Sequence, residues 1–110
     1  MDHDIIRNGT YIRHDDGVYL KHYFGSADND QLNNLEIFIL PNFAIEPHVH
    51  EDSAEFFYIV EGQGEFWHEG NWIAVEKGDT IFAPKNTEHG IRNRGKEPLI
   101  AFATISPPIE

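Results

Sequence analysis

The sequence predicts an all-β fold, an antiparallel sandwich or barrel with little or no helix. Three observations support this prediction: the apolar runs are short, they are rich in aromatic and β-branched residues, and Gly or Pro stands at nearly every junction. Short, regularly spaced strands are typical of antiparallel sheets rather than of alternating strands and helices. With 40% hydrophobic residues, we expect residues 1–110 to form one domain around a single core.

The predicted strands follow one another along the whole chain. TYIR (10–13) precedes a turn that ends at Gly17, and VYLKHYF (18–24) leads into a polar loop. LEIFIL (35–40) stops before Pro41, and EFFYIV (55–60) stops before Glu61. The later strands are GEFWH (64–68), NWIAV (71–75), TIFAP (80–84), HGIRN (89–93) and LIAFATI (99–105). Glu69 and Gly70 separate two of them and predict a hairpin.

Charge and cysteine content exclude several classes of function. The formal net charge is -11, which disfavours binding to nucleic acids and to anionic membrane surfaces. Cys is absent, so disulfides, thiolate catalysis and thiolate zinc sites are excluded. The N-terminal segment lacks the basic and apolar pattern of a signal peptide, and no apolar run is long enough for a spanning helix. We therefore expect a cytoplasmic protein.

Four side chains in the middle of the chain form a metal-ligand pattern. His48 and His50 are two residues apart, so on an extended strand both imidazoles point to the same face. Glu55 adds a carboxylate after a short turn. His89 is distant in sequence and joins the set only if a sheet brings two hairpins together. His3, His14, His22 and His68 lie outside this pattern, and we expect surface or hydrogen-bonding roles for them.

The spacing around the first three ligands resembles the first signature segment of the cupin family. That segment has Gly, then HxH, then Glu after three or four residues, then Gly after six more. Here His48 and His50 are followed by four residues and Glu55, and six further residues lead to Gly62. Asn42 stands in place of the leading Gly, and Asn is the residue that best tolerates the left-handed turn conformation open to Gly.

The second cupin segment is matched as well. It has Gly, five residues, Pro, any residue, Gly, two residues, His, three residues and Asn, and Gly78, Pro84, His89 and Asn93 stand at those spacings. Asn86 again replaces a Gly. The segments cover about 42–62 and 78–93. The resemblance implies a jelly-roll barrel, that is, an antiparallel double-stranded β-helix.

The ligand set indicates which metals are suitable. Three imidazoles and one carboxylate suit one divalent transition metal per chain, namely Fe, Mn, Ni, Co, Cu or Zn, and do not encode which. A six-coordinate ion would keep two positions open for substrate or dioxygen. The resemblance implies a dioxygenase, isomerase, decarboxylase or lyase acting on a small organic molecule, and we favour dioxygenase-type chemistry. A non-catalytic module that binds a small molecule or sugar at the metal is the main alternative. The intact ligand set argues against a third reading, a metal-free cupin epimerase.

Strand parity predicts the wall of the pocket. Residues two apart on a strand share a face, so if Glu55 points inward, Phe57 does too, and if His89 points inward, Ile91 does too. Phe102, on the last strand, is a third candidate for this mostly apolar wall. No Arg is predicted to point inward, which disfavours substrates that need an Arg clamp. Side chains that could also reach the pocket are Tyr11, Tyr19, Tyr23 and Trp67.

The resemblance also implies an oligomer. Small single-domain cupins commonly dimerise, so we expect a homodimer in which the N-terminal strands cover or exchange exposed sheet edges.

Overall fold

The computed structural model describes residues 5–110, and these form two antiparallel sheets. The strands are β1 (Ile12–Asp15), β2 (Val18–His22), β3 (Asn33–Ile39), β4 (Ala44–Val49), β5 (Ala54–Glu61), β6 (Gln63–His68), β7 (Asn71–Glu76), β8 (Thr80–Ala83), β9 (Glu88–Arg92) and β10 (Leu99–Ser106). The six-stranded sheet has the order β1-β2-β3-β10-β5-β8, and the four-stranded sheet has the order β4-β9-β6-β7. Within residues 5–110 no helix could cross a membrane. The predicted all-β jelly roll is confirmed.

The core lies between the two sheets and follows the two-residue period of the strands. Along β5, Phe57 and Ile59 are buried while Tyr58 and Val60 are exposed. β3 and β10 alternate in the same way because both are central strands of the six-stranded sheet with one face on the core. The four-stranded sheet contributes Phe66 and Ile91 from the opposite side. One apolar cluster therefore joins the sheets.

Both Asn residues that replace motif glycines adopt the left-handed conformation. Asn42 has φ 73° and Asn86 has φ 61°, a region that Gly and Asn tolerate best. Glu69 (φ 49°) and Gly70 (φ 80°) close the hairpin between β6 and β7, with both central residues at positive φ as in a type I′ turn. The predicted hairpin is confirmed.

Strand β4 was not in the series of strands predicted from apolar runs, although the ligand pattern placed His48 and His50 on an extended strand. Its sequence contains Pro47, which cannot donate a ladder hydrogen bond and so weakens the strand pattern. The structure accommodates Pro47 in a bulge, since the register between β4 and β9 shifts between Ile45 and His48. Beyond the bulge, His48 lies directly opposite His89.

Asn93 anchors the end of β9. Its side chain is fully buried, and its amide nitrogen donates to the Ile39 carbonyl at 2.9 Å and to the Glu97 carbonyl at 2.8 Å. Its side-chain oxygen accepts a hydrogen bond from the Gly95 amide at 2.9 Å. This second-segment Asn therefore ties the β9–β10 loop to β3.

Candidate metal centre

Three strands from both sheets bring the predicted ligands together. His48 is on β4, His50 directly follows that strand, and His89 is on β9, all in or beside the four-stranded sheet. Glu55 is on β5 of the six-stranded sheet. One donor atom from each of the four side chains lies within 4.8 Å of the other three. The four can hold one metal ion.

The distances fit a common ion. The Nε2 atoms of His48 and His50 are 3.2 Å apart, and Oε1 of Glu55 is 3.2 Å from Nε2 of His50 and 3.0 Å from Nε2 of His89. Donors bound about 2.1 Å from one ion at right angles are separated by about 3.0 Å. The donor set is thus spaced as neighbouring ligands of a single transition metal would be.

Backbone carbonyls orient two of the imidazoles. Nδ1 of His48 donates to the Glu46 carbonyl at 2.9 Å, and Nδ1 of His89 donates to the Thr87 carbonyl at 3.1 Å. Each bond fixes the ring so that Nε2 points into the cluster, the arrangement typical of metal-bound histidines. The backbone beside His50 is held separately, because the Asn86 amide donates to its carbonyl at 2.7 Å.

The directions in which the pKa values of His48, Glu55 and His89 are shifted agree with roles as metal ligands. Burial lowers the pKa of His48 and outweighs the opposing hydrogen bond to Glu46. Burial acts to raise the pKa of Glu55, but hydrogen bonds from His50 and His89 outweigh it, so the pKa of this carboxyl is lowered. Burial likewise acts to lower the pKa of His89, but hydrogen bonds to Glu55 and Thr87 raise it above 6.5. In the metal-free cluster, a proton on His89 therefore balances the Glu55 carboxylate.

Gly90 makes the pairing of His48 with His89 sterically feasible. A Cβ at this position would lie 2.8 Å from the Pro47 nitrogen and 2.9 Å from the Ile45 carbonyl oxygen. The bulged backbone of β4 thus packs directly on β9. This role of Gly90 is not evident from the sequence, because a glycine after a histidine is also typical of a loop.

The donor atoms line one end of an apolar cavity of about 260 Å³. Phe57 and Ile91 line it, in agreement with their predicted inward direction. Its other apolar walls are formed by Leu20, Leu35, Ile37, Ile45, Ile105 and Ile109. Among the residues that the structure describes, no Lys or Arg lines it.

The prediction for Phe102 is wrong. Its neighbours Ala101 and Ala103 are buried in the core, so Phe102 lies on the outer face of the six-stranded sheet, with its ring 6.1 Å from that of Tyr23. The face to which Phe102 points depends on the register of β10, which the sequence does not reveal. The four aromatic residues considered for the pocket also lie outside it: Tyr11 and Tyr19 pack against Phe38, Tyr23 packs against Phe102, and Trp67 packs against Trp72.

Three residues that line the cavity were missed as pocket residues. His14 on β1 and the C-terminal residues Ile109 and Glu110 reach it at its exposed side. The Ile109 amide donates to Oδ1 of Asn33 at 2.9 Å, and Oε2 of Glu110 is 3.0 Å from Nδ1 of His22. Nothing in the local sequence indicates that the chain end returns to this cavity.

The remaining histidines differ in position. His68 is exposed and lies 3.4 Å from Glu69, and His3 lies outside the described residues.

A larger groove, of about 900 Å³, lies at the far ends of β5 and β9, whereas the donor cluster lies at the beginnings of these strands. The donor cluster therefore lies at the smaller cavity and not at the larger groove.

Comparison with known proteins identifies the family. The sequence profile described as "Cupin domain" matches residues 35–105, which include all four donors and most of both sheets. This chain belongs to the cupin family. The cupin fold is also found in solved structures: KdgF from Halomonas sp. superposes with a TM-score of 0.82 at 22% identity, covering 92% of this chain and 88% of that one. A predicted oxalate decarboxylase from Thermotoga maritima gives a TM-score of 0.78 at 25% identity over 90% of this cupin and 91% of that chain.

Similarity to curated proteins is more local. The oxalate-binding protein of Thermotoga maritima is 32% identical over 65 residues, which are 59% of this cupin and 54% of that protein. Quercetin 2,3-dioxygenase of Bacillus subtilis is 42% identical over 48 residues, which are 44% of this cupin and 14% of that enzyme. This cupin spans about half the length, or less, of these curated relatives.

Proposed function

We propose that this protein is a small metal-dependent cupin enzyme that acts on a small organic molecule, with dioxygenase-type chemistry as the leading reaction. The observation that carries the proposal is the convergence of His48, His50, Glu55 and His89 at one end of an apolar cavity. A structural pair needs only one such contact, whereas here Nε2 of His50 and Nε2 of His89 both lie 3.0 to 3.2 Å from the buried Glu55 carboxylate, and Nε2 of His48 lies 3.2 Å from that of His50.

The donor set defines the chemistry available. A bound divalent ion would keep a net positive charge beside a single carboxylate and would supply Lewis-acid or oxygen chemistry at its open positions. The Glu46 and Thr87 carbonyls hold two of the four donors, His48 and His89, in fixed directions. Glu55, buried at 5% exposure, provides the one formal charge of the set.

The cavity favours a compact and largely apolar substrate. Its volume of about 260 Å³ is below the roughly 300–1,000 Å³ of pockets for drug-sized ligands. Its walls are mainly aliphatic and aromatic, and among the described residues no Lys or Arg lines it to bind a free carboxylate. These properties support small diketones, phenols and alkenes ahead of substrates held by an Arg clamp.

Other metal-dependent reactions use the same donors. Isomerase, decarboxylase or lyase activity is the alternative within the enzyme class, since the reaction type depends on residues around the ligands. A non-catalytic metal-assisted binding module is the second candidate, and the 32% identity with an oxalate-binding protein supports it. A binding module would hold its ligand without releasing a product.

Metal content tests the site first. Protein purified without chelator or affinity-tag metal is analysed for elements beside His48→Ala, His89→Ala and the control His68→Ala. We expect about one transition metal ion per chain in the wild type and in His68→Ala, because the exposed His68 pairs with Glu69 at 3.4 Å and is not one of the four grouped donors. Full metal content in both ligand variants would contradict the assignment of the donors.

Oxygen consumption then tests the reaction. Metal-loaded protein is mixed with a small diketone, a phenol or an alkene in an oxygen electrode, and products are identified by mass spectrometry. The proposal expects oxygen uptake that is lost in His50→Ala and retained in His68→Ala. Equal turnover in His50→Ala and wild type would refute it, and saturable ligand binding without any product would favour the binding module.

A further inference from the structure

Residues 107–110 lie across the exposed side of the metal cavity. Among the described residues that line this cavity, only His14, Ile109 and Glu110 are exposed, whereas the donors and the apolar walls are buried or half-buried. Strand β10 ends at Ser106, so Ile109 and Glu110 belong to the segment that follows it. We call residues 107–110 the closing segment and the exposed side of the cavity its mouth. A molecule that enters through the mouth passes beside this segment.

Polar contacts hold both ends of the closing segment. Ser53, a buried residue, donates from its hydroxyl to the Pro107 carbonyl at 2.6 Å. At the other end, the Ser26 amide donates to the Glu110 carbonyl, and a Cβ on Gly25 would lie 2.7 Å from the same oxygen. The loop after β2 therefore packs directly against the backbone of the closing segment. These contacts give the segment a defined position at the mouth.

Asn33 holds the middle of the closing segment with a side chain that is only partly paired. It is 1% exposed, and its Oδ1 accepts a hydrogen bond from the Ile109 amide at 2.9 Å. Because only the oxygen can accept this bond, the orientation of the side-chain amide is fixed, and Nδ2 is buried without a partner among residues 5–110. If the segment moves away, solvation of Nδ2 compensates for the lost hydrogen bond. The closing segment is therefore ordered and can open at a low cost in free energy.

Ile109 narrows the mouth with an apolar side chain. It is 45% exposed and lines the cavity together with the buried Leu35 and Ile105. The donors occupy one end of a cavity of only about 260 Å³, so a ligand bound at that end has little room between its other end and Ile109. A longer ligand would have to displace this side chain. Ile109 therefore limits the length of the molecules that the cavity accepts.

Glu110 brings a negative charge to the mouth. Its Oε2 atom lies 3.0 Å from Nδ1 of His22, and no Lys or Arg lines the cavity among the described residues. An anionic group at the mouth would be repelled by this carboxylate, and the net charge of -11 adds to the repulsion. An uncharged group avoids this cost. The mouth thus favours ligands that carry no negative charge at the end away from the donors.

We propose that Ile109 and Glu110 determine the ligand specificity of the metal cavity. They admit compact molecules that are uncharged away from the chelating end, and they exclude longer or anionic ones. The proposal rests on the proposed function, because it takes the ligand to bind through the metal. Neither residue belongs to the donor set, so their substitution should change which molecules bind and leave metal binding intact. Small β-diketones with a variable tail are suitable probes.

Two β-diketones with the same chelating end test the length limit on cobalt-loaded protein: acetylacetone and the longer benzoylacetone. Their affinities are measured from the cobalt absorbance. We expect Ile109→Ala to strengthen benzoylacetone binding at least about 10-fold, with little change for acetylacetone. Ile73→Ala is the matched control, since Ile73 is 48% exposed on β7 of the other sheet. An equal change for both diketones, no change for either, or the same effect in Ile73→Ala would overturn the length limit.

A β-diketone with a carboxylate tail and its methyl ester test the selection by charge. We expect Glu110→Gln to strengthen binding of the carboxylate about 3- to 10-fold, as is typical of two exposed charges roughly 4 Å apart, and to leave the ester unaffected. Glu69→Gln is the matched control, because Glu69 is also an exposed carboxylate beside a histidine, His68. Unchanged binding of the carboxylate in Glu110→Gln, or an equal gain for the ester, would refute the role of Glu110.

Cobalt titration without diketone separates failure of this proposal from failure of the proposed function. Full cobalt binding with unaltered selectivity in Ile109→Ala would refute the role of the closing segment alone, whereas a wild type that binds no cobalt would refute the metal centre. The mouth is then tested in metal-free protein with benzene and naphthalene, whose binding is followed by the NMR shifts of Ile91 inside the cavity. Ile109→Ala should strengthen naphthalene binding relative to benzene binding, and an unchanged ratio would overturn the proposal.

Discussion

Replacing Gly90 by Ala perturbs the contact that places His48 opposite His89. The new Cβ would lie 2.8 Å from the Pro47 nitrogen, 2.9 Å from the Ile45 oxygen and 3.0 Å from the Pro47 Cα, and all three atoms are backbone. No side-chain rotation relieves these contacts. Strand β4 must therefore move away from β9, and the His48 imidazole moves with it.

The size of the movement follows from ordinary contact distances. Contacts of this kind normally begin at 3.4 Å, so β4 would shift by about 0.5 Å, which exceeds the roughly 0.2 Å tolerance of metal-ligand distances. We expect metal affinity to fall about 10- to 100-fold, as it does when the support of a metal ligand is lost. The metal-free fold should lose about 1–3 kcal/mol from overpacking.

Cobalt titration followed by calorimetry and absorbance measures the affinity, and thermal unfolding with chelator measures the metal-free stability. Gly70→Ala is the control, because Gly70 has φ 80° and no heavy atom within 4 Å of an added Cβ. Its left-handed strain costs a similar amount, about 1–2 kcal/mol, but occurs in the β6–β7 hairpin, which carries none of the four ligands. Wild-type cobalt affinity in Gly90→Ala would refute the claim that the β4–β9 contact sets the ligand geometry.

Three further predictions concern the ligands and the core. The ion pair between His89 and Glu55 stabilises the metal-free fold fully below pH 6.5, and this stabilisation is lost as the pH rises through the raised pKa of His89. The difference in thermal stability between wild type and His89→Gln should therefore shrink as the pH rises through the pKa of His89. A difference that does not change with pH would contradict the ion pair. Asn93→Ala leaves buried carbonyls and an amide unpaired and should cost at least about 1–3 kcal/mol in urea unfolding, whereas retained stability would argue against its anchoring role. Phe57→Ala should cost about 3–5 kcal/mol and Phe102→Ala clearly less in the same assay, and the reverse order would place Phe102 in the core.

The sequence predicted the fold and the donor set because both depend on local periodicity. Alternation along β5 requires only that one residue be assigned to a face, and Glu55 then determines the directions of Phe57 and Ile59. The substitutions at Asn42 and Asn86 were also interpretable, because positive φ restricts the choice of residue.

The failures involve information that is not local. Phe102 was placed on the wrong face because its direction depends on which strands flank β10, and no nearby residue fixes that register. The extent of β4 before His48 was missed because Pro47 interrupts its pattern, and only the packing of the bulge against Gly90 explains how a strand tolerates a proline there. The approach of Ile109 to the cavity depends on a hydrogen bond to Asn33, 76 positions earlier.

The donors span the seam between the two sheets, with Glu55 on one side and the three histidines on the other. The bonds between a bound ion and either Glu55 or the histidines would therefore have to break before the two sheets could separate at this end. Since an ion that binds only the native state adds its binding free energy to the cost of unfolding, resistance to heat and proteases would increase with the logarithm of the free metal concentration. Retention of the ion over time would then report how often the sandwich opens.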